Sequence, residues 1–365
     1  MTFPFTGSYS LDDVQFLLTP MDMPDTPVRI KEALIQSGKK HYSQMLTHES
    51  LPPENYLQLF YHAMLSNQQR MAEHVLVLAE RILSARPHGI TLVSLARAGT
   101  PVGVLLKHVL KRYFNTEASH YSISIMRDVG IDRNALRAIL QNHSPKTLVF
   151  VDGWTGKGVI ARQLSVSLQA FAVSDGVIIP DDLCVLADLS GSAAVAACSE
   201  DYLIPSCILN ATVSGLISRS VYDPQSAAPD DFHGCVYYRQ FERHDLSRYF
   251  IDTILSCVEH ARQRRRGGFA GSRRHDRRQL QDISEALLCW IGERYDIGRH
   301  HYVKPGIGEA TRVLLRREAR VLLVRDLEDE AVSHLRWLAE SRSIPIDVYS
   351  ELPYRAVALI KEVSL

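Results

Sequence analysis

The sequence predicts an α/β protein in two unequal parts: a parallel sheet with flanking helices, followed by a small α/β/α sandwich. Three observations predict it. Short β-rich runs, "ITLVSL" (90–95), "YSISIM" (121–126), "TLVFVD" (147–152) and "LCVLADL" (183–189), alternate with helix-like segments such as "PVGVLLKHVLKRYF" and "VIARQLSVSLQAFAV". Strands that are apolar on both faces and alternate with helices belong to parallel sheets. The composition then breaks once, at "RQRRRGGFAGSRRHDRR" (262–278), where eight arginines and three glycines leave no hydrophobic face to bury. Beyond the break the alternation recurs on a smaller scale.

The 365 residues therefore divide into a body (1–261), an exposed Arg/Gly-rich linker (262–278) and a C-terminal unit (279–365), sizes that suit one large and one small domain. The body opens with a helical part to about residue 88, in which "PPENYLQLFYHAMLSNQQRMAEHVLVLAERILSARP" keeps helical spacing until Pro87. The four strands follow. The C-terminal unit reads as a helix near 280–294, the loop "HYVKPGIG", the helix "EATRVLLRRE", the strand "ARVLLVRD", the helix "AVSHLRWLAESR", the strand "PIDVYS" and a closing helix "YRAVALIKEV".

Composition excludes several classes. Lys plus Arg equals Asp plus Glu at 41 each, so no global field draws nucleic acid or membrane, and either must meet a local patch. The six cysteines, Cys184, Cys198, Cys207, Cys235, Cys257 and Cys289, show no CxxC or CxH spacing. That argues against a zinc site or a disulfide framework and for reduced thiols. With no long apolar run and no basic-then-apolar leader, the expectation is a cytoplasmic protein without a membrane partner.

In a parallel α/β sheet the ligand sits beyond the carboxyl ends of the strands, so the following loops are searched first. "ARAGTPVG" sets Arg97, Ala98, Gly99 and Thr100 between a strand and a helix, where free N–H groups and a guanidinium favour an anion. "VDGWTGKG" repeats the layout, with Thr155, Gly156, Lys157 and Gly158 able to turn N–H groups inward and Asp152 able to meet sugar hydroxyls or magnesium. It is not a Walker A loop, and no GxGxxG fingerprint occurs. A glycine at such a turn is required for packing about as often as for a ligand.

Two further loops share this edge. "MRDVGIDRNALRAIL" presents Arg127, Asp128, Gly130, Asp132 and Asn134 as a loop able to close on a substrate, or as a turn in which Asp132 caps the helix starting near Arg133. "ADLSGSAAVAA" offers Asp188, Ser190 and Gly191, with Asp188 as a candidate general base.

The paired loops resemble those of the type I phosphoribosyltransferase fold. The resemblance implies that Arg97, Ala98, Gly99 and Thr100 receive the pyrophosphate of phosphoribosyl pyrophosphate. It likewise implies that Asp152, Gly153, Trp154, Thr155, Gly156, Lys157 and Gly158 hold the ribose and 5′-phosphate, with Mg²⁺ as cofactor at Asp152. The catalytic set would be Arg97, Asp152 and Asp188, moving the sugar to a base-like acceptor. More narrowly, "IQSGKKHYSQML" (35–46), "SLARAGTPVGVLLK", "SISIMRDVGIDRNAL", "VDGWTGKG" and "LIPSCILNATVSGLISR" (203–219) resemble the StiP-type stress proteins of tellurite-resistance gene clusters, which join such a domain to a Pelota-type RNA-binding domain. The loop here carries one acid, Asp152, where the transferase pattern has two, and its spacer is shorter.

The C-terminal unit fits that resemblance. Lys304 to Glu309 is similar to the RNA-contacting Gly-x-Asn-Glu turn of the Pelota superfamily, with Gly306 and Glu309 matched and Gly308 in place of Asn. This implies RNA contact by Lys304, Gly306, Gly308, Glu309, Arg312 and Arg316, phosphate contacts supplying affinity without sequence choice. Taken as ordinary helix chemistry, Glu309 is a first-turn acid favoured by the dipole and Arg316 part of a solvated face. Two alternatives stand beside the transferase: a nucleotide-sensing RNA-binding protein without turnover, and a cysteine protease, as some relatives are named. The last needs a nucleophilic thiol, Cys198 or Cys207, with a base such as His120, His233 or His244.

Overall fold

The computed structural model describes residues 5–224, 227–266 and 276–362. The body is built on a six-stranded sheet of β1 (Gln15–Leu17), β2 (Ile90–Leu95), β3 (Ala118–Ile123), β4 (Leu148–Thr155), β5 (Leu183–Asp188) and β6 (Val195–Cys198), in the order β1-β3-β2-β4-β5-β6. Every pairing is parallel. All positions of β2 and β5 are buried, including the polar Thr91, Ser94 and Asp188. The helices are α1 (Val28–Gln36), α2 (Glu54–Ala85), α3 (Gly99–Phe114), α4 (Arg133–Leu140), α5 (Val159–Asp175) and α6 (Ser247–Arg266). Along α2, Phe60, Met64, Met71, Val75, Leu78 and Ile82 recur at helical spacing and are all buried, each worth roughly 1.5–3 kcal/mol of transfer from water.

The C-terminal domain holds α7 (Arg277–Tyr295), β7 (Val303–Pro305), α8 (Ile307–Arg316), β8 (Ala319–Val324), α9 (Ser333–Ser341), β9 (Ile346–Val348) and β10 (Ala356–Ile360). Its mixed sheet runs β7-β10-β8-β9, with β8 parallel to β9 and antiparallel to β10. Among the described residues no helix is long and apolar enough to cross a membrane.

Four local expectations are corrected. The closing segment expected as a helix is β10, inserted between β7 and β8 with all five residues buried. A short, wholly apolar run does not distinguish strand from helix by periodicity. The opening part is not uniformly helical, because β1 pairs with β3 at the sheet edge. The strand β4 continues through Trp154 and Thr155, which pair with Ala187 and Asp188, so the predicted loop starts only at Gly156. The linker is helical at both ends: α6 runs to Arg266, its Arg264 and Arg265 reaching Glu73 and Glu80 of α2 at 3.2 and 2.7 Å. Residues 267–275 of that linker lie outside the described residues.

Candidate functional site

The carboxyl ends of β2, β4 and β5 point at the C-terminal domain, and most of the predicted site residues meet there. Gly99 starts α3 hard against β4: a Cβ on it would stand 2.2 Å from the Val151 carbonyl oxygen. Its glycine is thus demanded by packing, as is Gly103, whose Cβ would meet Ser94 and His120. Thr100 Oγ1 pairs with Ser122 Oγ at 2.8 Å. Arg97 is buried, with Nη1 donating to Ile217 O at 2.6 Å and Nη2 to Glu49 Oε1 at 2.5 Å. Glu49 in turn accepts from the Ala211 N–H at 2.8 Å.

The second loop is occupied by protein. A Cβ on Gly156 would stand 2.6 Å from Pro305 O, and one on Gly308 only 2.3 Å from the Trp154 ring. Trp154 is sandwiched further by the Arg312 guanidinium, 4.5 Å from its ring centroid. Lys157 Nζ donates to the carbonyls of His300 and Val303 at 2.5 and 2.6 Å, and burial pushes its pKa down to about 7. Thr155 Oγ1 accepts from the Gly158 N–H at 3.2 Å. Asp152 accepts its own neighbour's N–H, from Gly153, at 2.7 Å, and burial pushes its carboxyl up to about 6. Among the described residues no three acidic, His or Cys donors converge.

The remaining predicted loops make these contacts within the protein: Asp188 accepts N–H groups from Ser190, Ser192 and Ala193 at 3.0, 3.2 and 2.9 Å. The Gly191 carbonyl accepts from Arg277 and Gln281 of α7, which cover this loop. Asp132 caps α4 through Ala135 N–H at 3.0 Å and also accepts from His233 N–H at 2.6 Å. Asn134 donates to Pro229 O and Asp231 O. Arg127 pairs with its neighbour Asp128 at 2.9 Å, at a turn where Asp128 and Gly130 have positive φ.

The turn expected to contact RNA faces inward. Gly306 lies against Leu189, and the Ile307 and Arg355 N–H groups donate to Asp201 of the body at 3.0 and 2.8 Å. Glu309 binds Arg312 at 2.9 Å and Lys304 at 3.8 Å. Burial would push Glu309 up, yet Arg312 and Lys304 outweigh it and hold the carboxyl below its usual range. Arg316 donates to Asn210 Oδ1 at 3.0 Å, and Arg317 clasps Glu32.

Between the two domains lies a cavity of about 490 Å³, walled by the cationic side chains Lys31, Arg219, Lys304, Arg312, Arg316, Arg317 and Arg342 against two carboxylates, Glu49 and Glu309. It adjoins a recess of about 180 Å³ that includes Arg97, Ala98, Trp154 and Cys207, and both are lined by Tyr42, Asn210, Arg219, Arg312 and Arg316. Lys31, Tyr42, Glu49, Asn210 and Arg219 carried no sequence-based assignment. They fall in or beside "IQSGKKHYSQML" and "LIPSCILNATVSGLISR", the stretches that bore the resemblance, which was the available signal.

Of the six thiols, Cys289 is exposed and five are buried. Cys207 lines the recess. Its Sγ lies 3.9 Å from Thr311 Oγ1, which stands 2.8 Å from His334 Nε2 and donates to Ile307 O. Burial pushes the Cys207 thiol up to about 12 and His334 down to about 3. Cys198 instead donates to Leu186 O at 3.3 Å. His120 is engaged by Asp13 O and Ser94, and His233 by Ser124. The imidazole near a candidate thiol is thus His334, contributed by the other domain.

Fold and site together define a two-domain α/β protein whose sheet edge is closed by its own C-terminal domain, with a cationic cavity between the domains and a neighbouring recess that has one thiol in its wall. Residues 7–255 match the family described as "Tellurite-like stress resistance cysteine protease StiP", and residues 283–362 match the PELOTA RNA binding domain. The chain belongs to the StiP family and carries a C-terminal Pelota domain. It is 39% identical over 368 residues to "Cysteine protease StiP" of Acinetobacter baylyi, an alignment spanning 98% of this chain and 94% of the relative. These findings overturn the phosphoribosyltransferase expectation: family and relative alike are named for a cysteine protease. The geometry is consistent with that correction, because the loop assigned to the 5′-phosphate is filled by Pro305, His300 and Val303 of the C-terminal domain.

Proposed function

We propose that this chain is a cysteine peptidase of the stress-resistance family with Cys207 as nucleophile, and that its Pelota domain binds RNA. The observation that carries the reading is the 39% identity, across 98% of the chain, to a relative named a cysteine protease. The position of Cys207 in the wall of the sheet-edge recess supports its choice over Cys198.

The nucleophile is the thiolate, and at neutral pH Cys207, pushed up to about 12, still carries its proton. The Thr311 hydroxyl beside Sγ already donates to Ile307 O and burial makes His334 a weak base, so the thiol proton is handed to the departing amine as sulfur attacks. As sulfur bonds to the peptide carbonyl carbon, the carbonyl oxygen gains negative charge, met by guanidinium N–H groups of Arg312 on the same wall. The C–N bond then breaks with the proton passing to the amine. Water hydrolyses the thioester, releasing the acid and restoring the thiol.

Hydrolysis of a mixed fluorogenic peptide pool by wild type, Cys207→Ala and Cys198→Ala tests the assignment. The expected result is a loss of about 10³-fold or more in kcat/KM for Cys207→Ala alone. Unchanged cleavage by Cys207→Ala would move the nucleophile elsewhere. For RNA, the inward Lys304–Arg316 surface leaves the outward face of the domain, with exposed Trp290, Arg294 and Arg320, as the surface to mutate in anisotropy titrations of labelled RNA.

A further inference from the structure

The interdomain cavity carries charge that the peptide-bond chemistry does not use. Arg312 and Lys304 answer Glu309, and Arg317 answers Glu32. Lys31, Arg219 and Arg316 donate instead to neutral oxygens: Lys31 to Thr47 Oγ1 at 2.8 Å and to Arg316 O, Arg219 to the carbonyls of Tyr42 and Met45, and Arg316 to Asn210 Oδ1. These three cations share one wall and are buried or half-buried. They also oppose one another. Burial, then the nearby Arg219, holds Lys31 down to about 8, while burial, then Arg97 and Arg317, holds Arg219 down to about 10. A negative ligand would relieve both.

Three features select the ligand's chemistry. The space of about 490 Å³ suits a side chain or a short peptide end and is too confined for a nucleic-acid strand while the domains stay docked. Guanidinium forks match carboxylates bidentately. The Cys207 recess adjoins the cavity, with Asn210, Arg219, Arg312 and Arg316 lining both, so a chain lying over the thiol brings a neighbouring residue beside the cationic space.

We infer that this cavity is a carboxylate-recognising subsite, and that the peptides presented to Cys207 carry an Asp or Glu side chain, or a free terminal carboxylate, beside the scissile bond. The inference rests on the peptidase reading for its substrate and on the cationic wall for its site, and one experiment separates the two. Matched fluorogenic peptides differing only as Glu against Gln, each with a free or an amidated C-terminus, are offered to the full-length wild type. The same peptides are titrated calorimetrically into Cys207→Ala and into Lys31→Gln and Arg342→Gln, with thermal unfolding checked for every variant.

A preference of about tenfold or more in kcat/KM for Glu, or for the free C-terminus, is expected, with tighter binding of the same peptides to Cys207→Ala and weaker binding to Lys31→Gln. Whichever of the two carboxylates carries the preference identifies its source. Cleavage with no preference between acid and amide overturns the subsite and leaves the peptidase standing. Selective binding of the acidic peptides with no cleavage does the reverse. Binding of a single-stranded RNA oligonucleotide that Lys31→Gln abolishes, with no binding of either peptide, overturns the subsite in favour of phosphate.

Discussion

The two glycine-bearing turns at the sheet's edge look alike in sequence and differ in what they touch. At the first, Gly99 lets α3 press against β4 within the body, its Cβ position 2.2 Å from Val151 O. At the second, Gly156 admits a different domain, its Cβ position 2.6 Å from Pro305 O, while Lys157 donates to carbonyls of that domain. A strand, a glycine and a helix N-terminus make a concave set of N–H groups, and protein backbone fills it as readily as an anion does. The cavity with surplus charge was assembled instead from segments with no glycine motif, around Lys31, Tyr42, Glu49 and Arg219.

Substitutions can break this comparison. The largest effect is expected from Gly99→Ala, where a methyl meets the rigid backbone of β4 at Val151 and Asp152: loss of about 3 kcal/mol or more, read as a lower urea midpoint for the whole chain. Arg97→Ala comes next, because it removes the partner of the half-buried Glu49 carboxylate, which keeps only the Ala211 N–H, at a cost of about 1–3 kcal/mol. Arg97→Ala combined with Glu49→Gln should recover part of the loss, and a double-mutant cycle measures how much. Gly156→Ala should cost about 1–3 kcal/mol confined to docking, so hydrogen exchange should rise at Pro305–Glu309 and stay unchanged in β2 and β4. Equal exchange changes in both regions would erase the distinction between the turns.

The pH dependence sharpens it further. Asp152 and Asp201, both raised by burial to about 6, keep their protons in the folded state where unfolded carboxyls have released theirs. Their stabilising contribution is complete below about pH 4 and is lost as pH rises to about 6, by roughly 1–3 kcal/mol each. Asp152→Asn should flatten that slope. Lys157, lowered to about 7, has the opposite sign: the unfolded chain binds its proton more tightly, so stability recovers as pH rises above 7. Denaturant midpoints measured from pH 4 to 10 check both. Arg312→Ala removes both the guanidinium over Trp154 and the nearer partner of Glu309, so a loss of about 1–3 kcal/mol is expected, with a shift in tryptophan fluorescence.

Much of the body was legible because its strands are long apolar runs that can only be buried. The helix α2 was read almost to its ends, since its spacing persists for 32 residues before Pro87. Asp132 was open between a substrate-closing loop and a helix cap, and it caps α4. By contrast β1, of three residues, and β10, a short apolar run, gave periodicity too little length to decide. Asp188 sits where a base was expected, and it accepts three N–H groups that no spacing rule could foresee.

By itself the sequence determined the α/β alternation, the two-part chain and the stretches that carry the family resemblance, because hydrophobic periodicity and composition are local properties. Only the tertiary structure decided that the Pelota-like turn faces the body rather than solvent, that Cys207 and His334 approach one Thr311 hydroxyl from different domains, and that Lys31, Arg219 and Arg316 share a wall. Those are contacts between segments far apart in sequence, fixed by how two domains dock, and no local pattern encodes them.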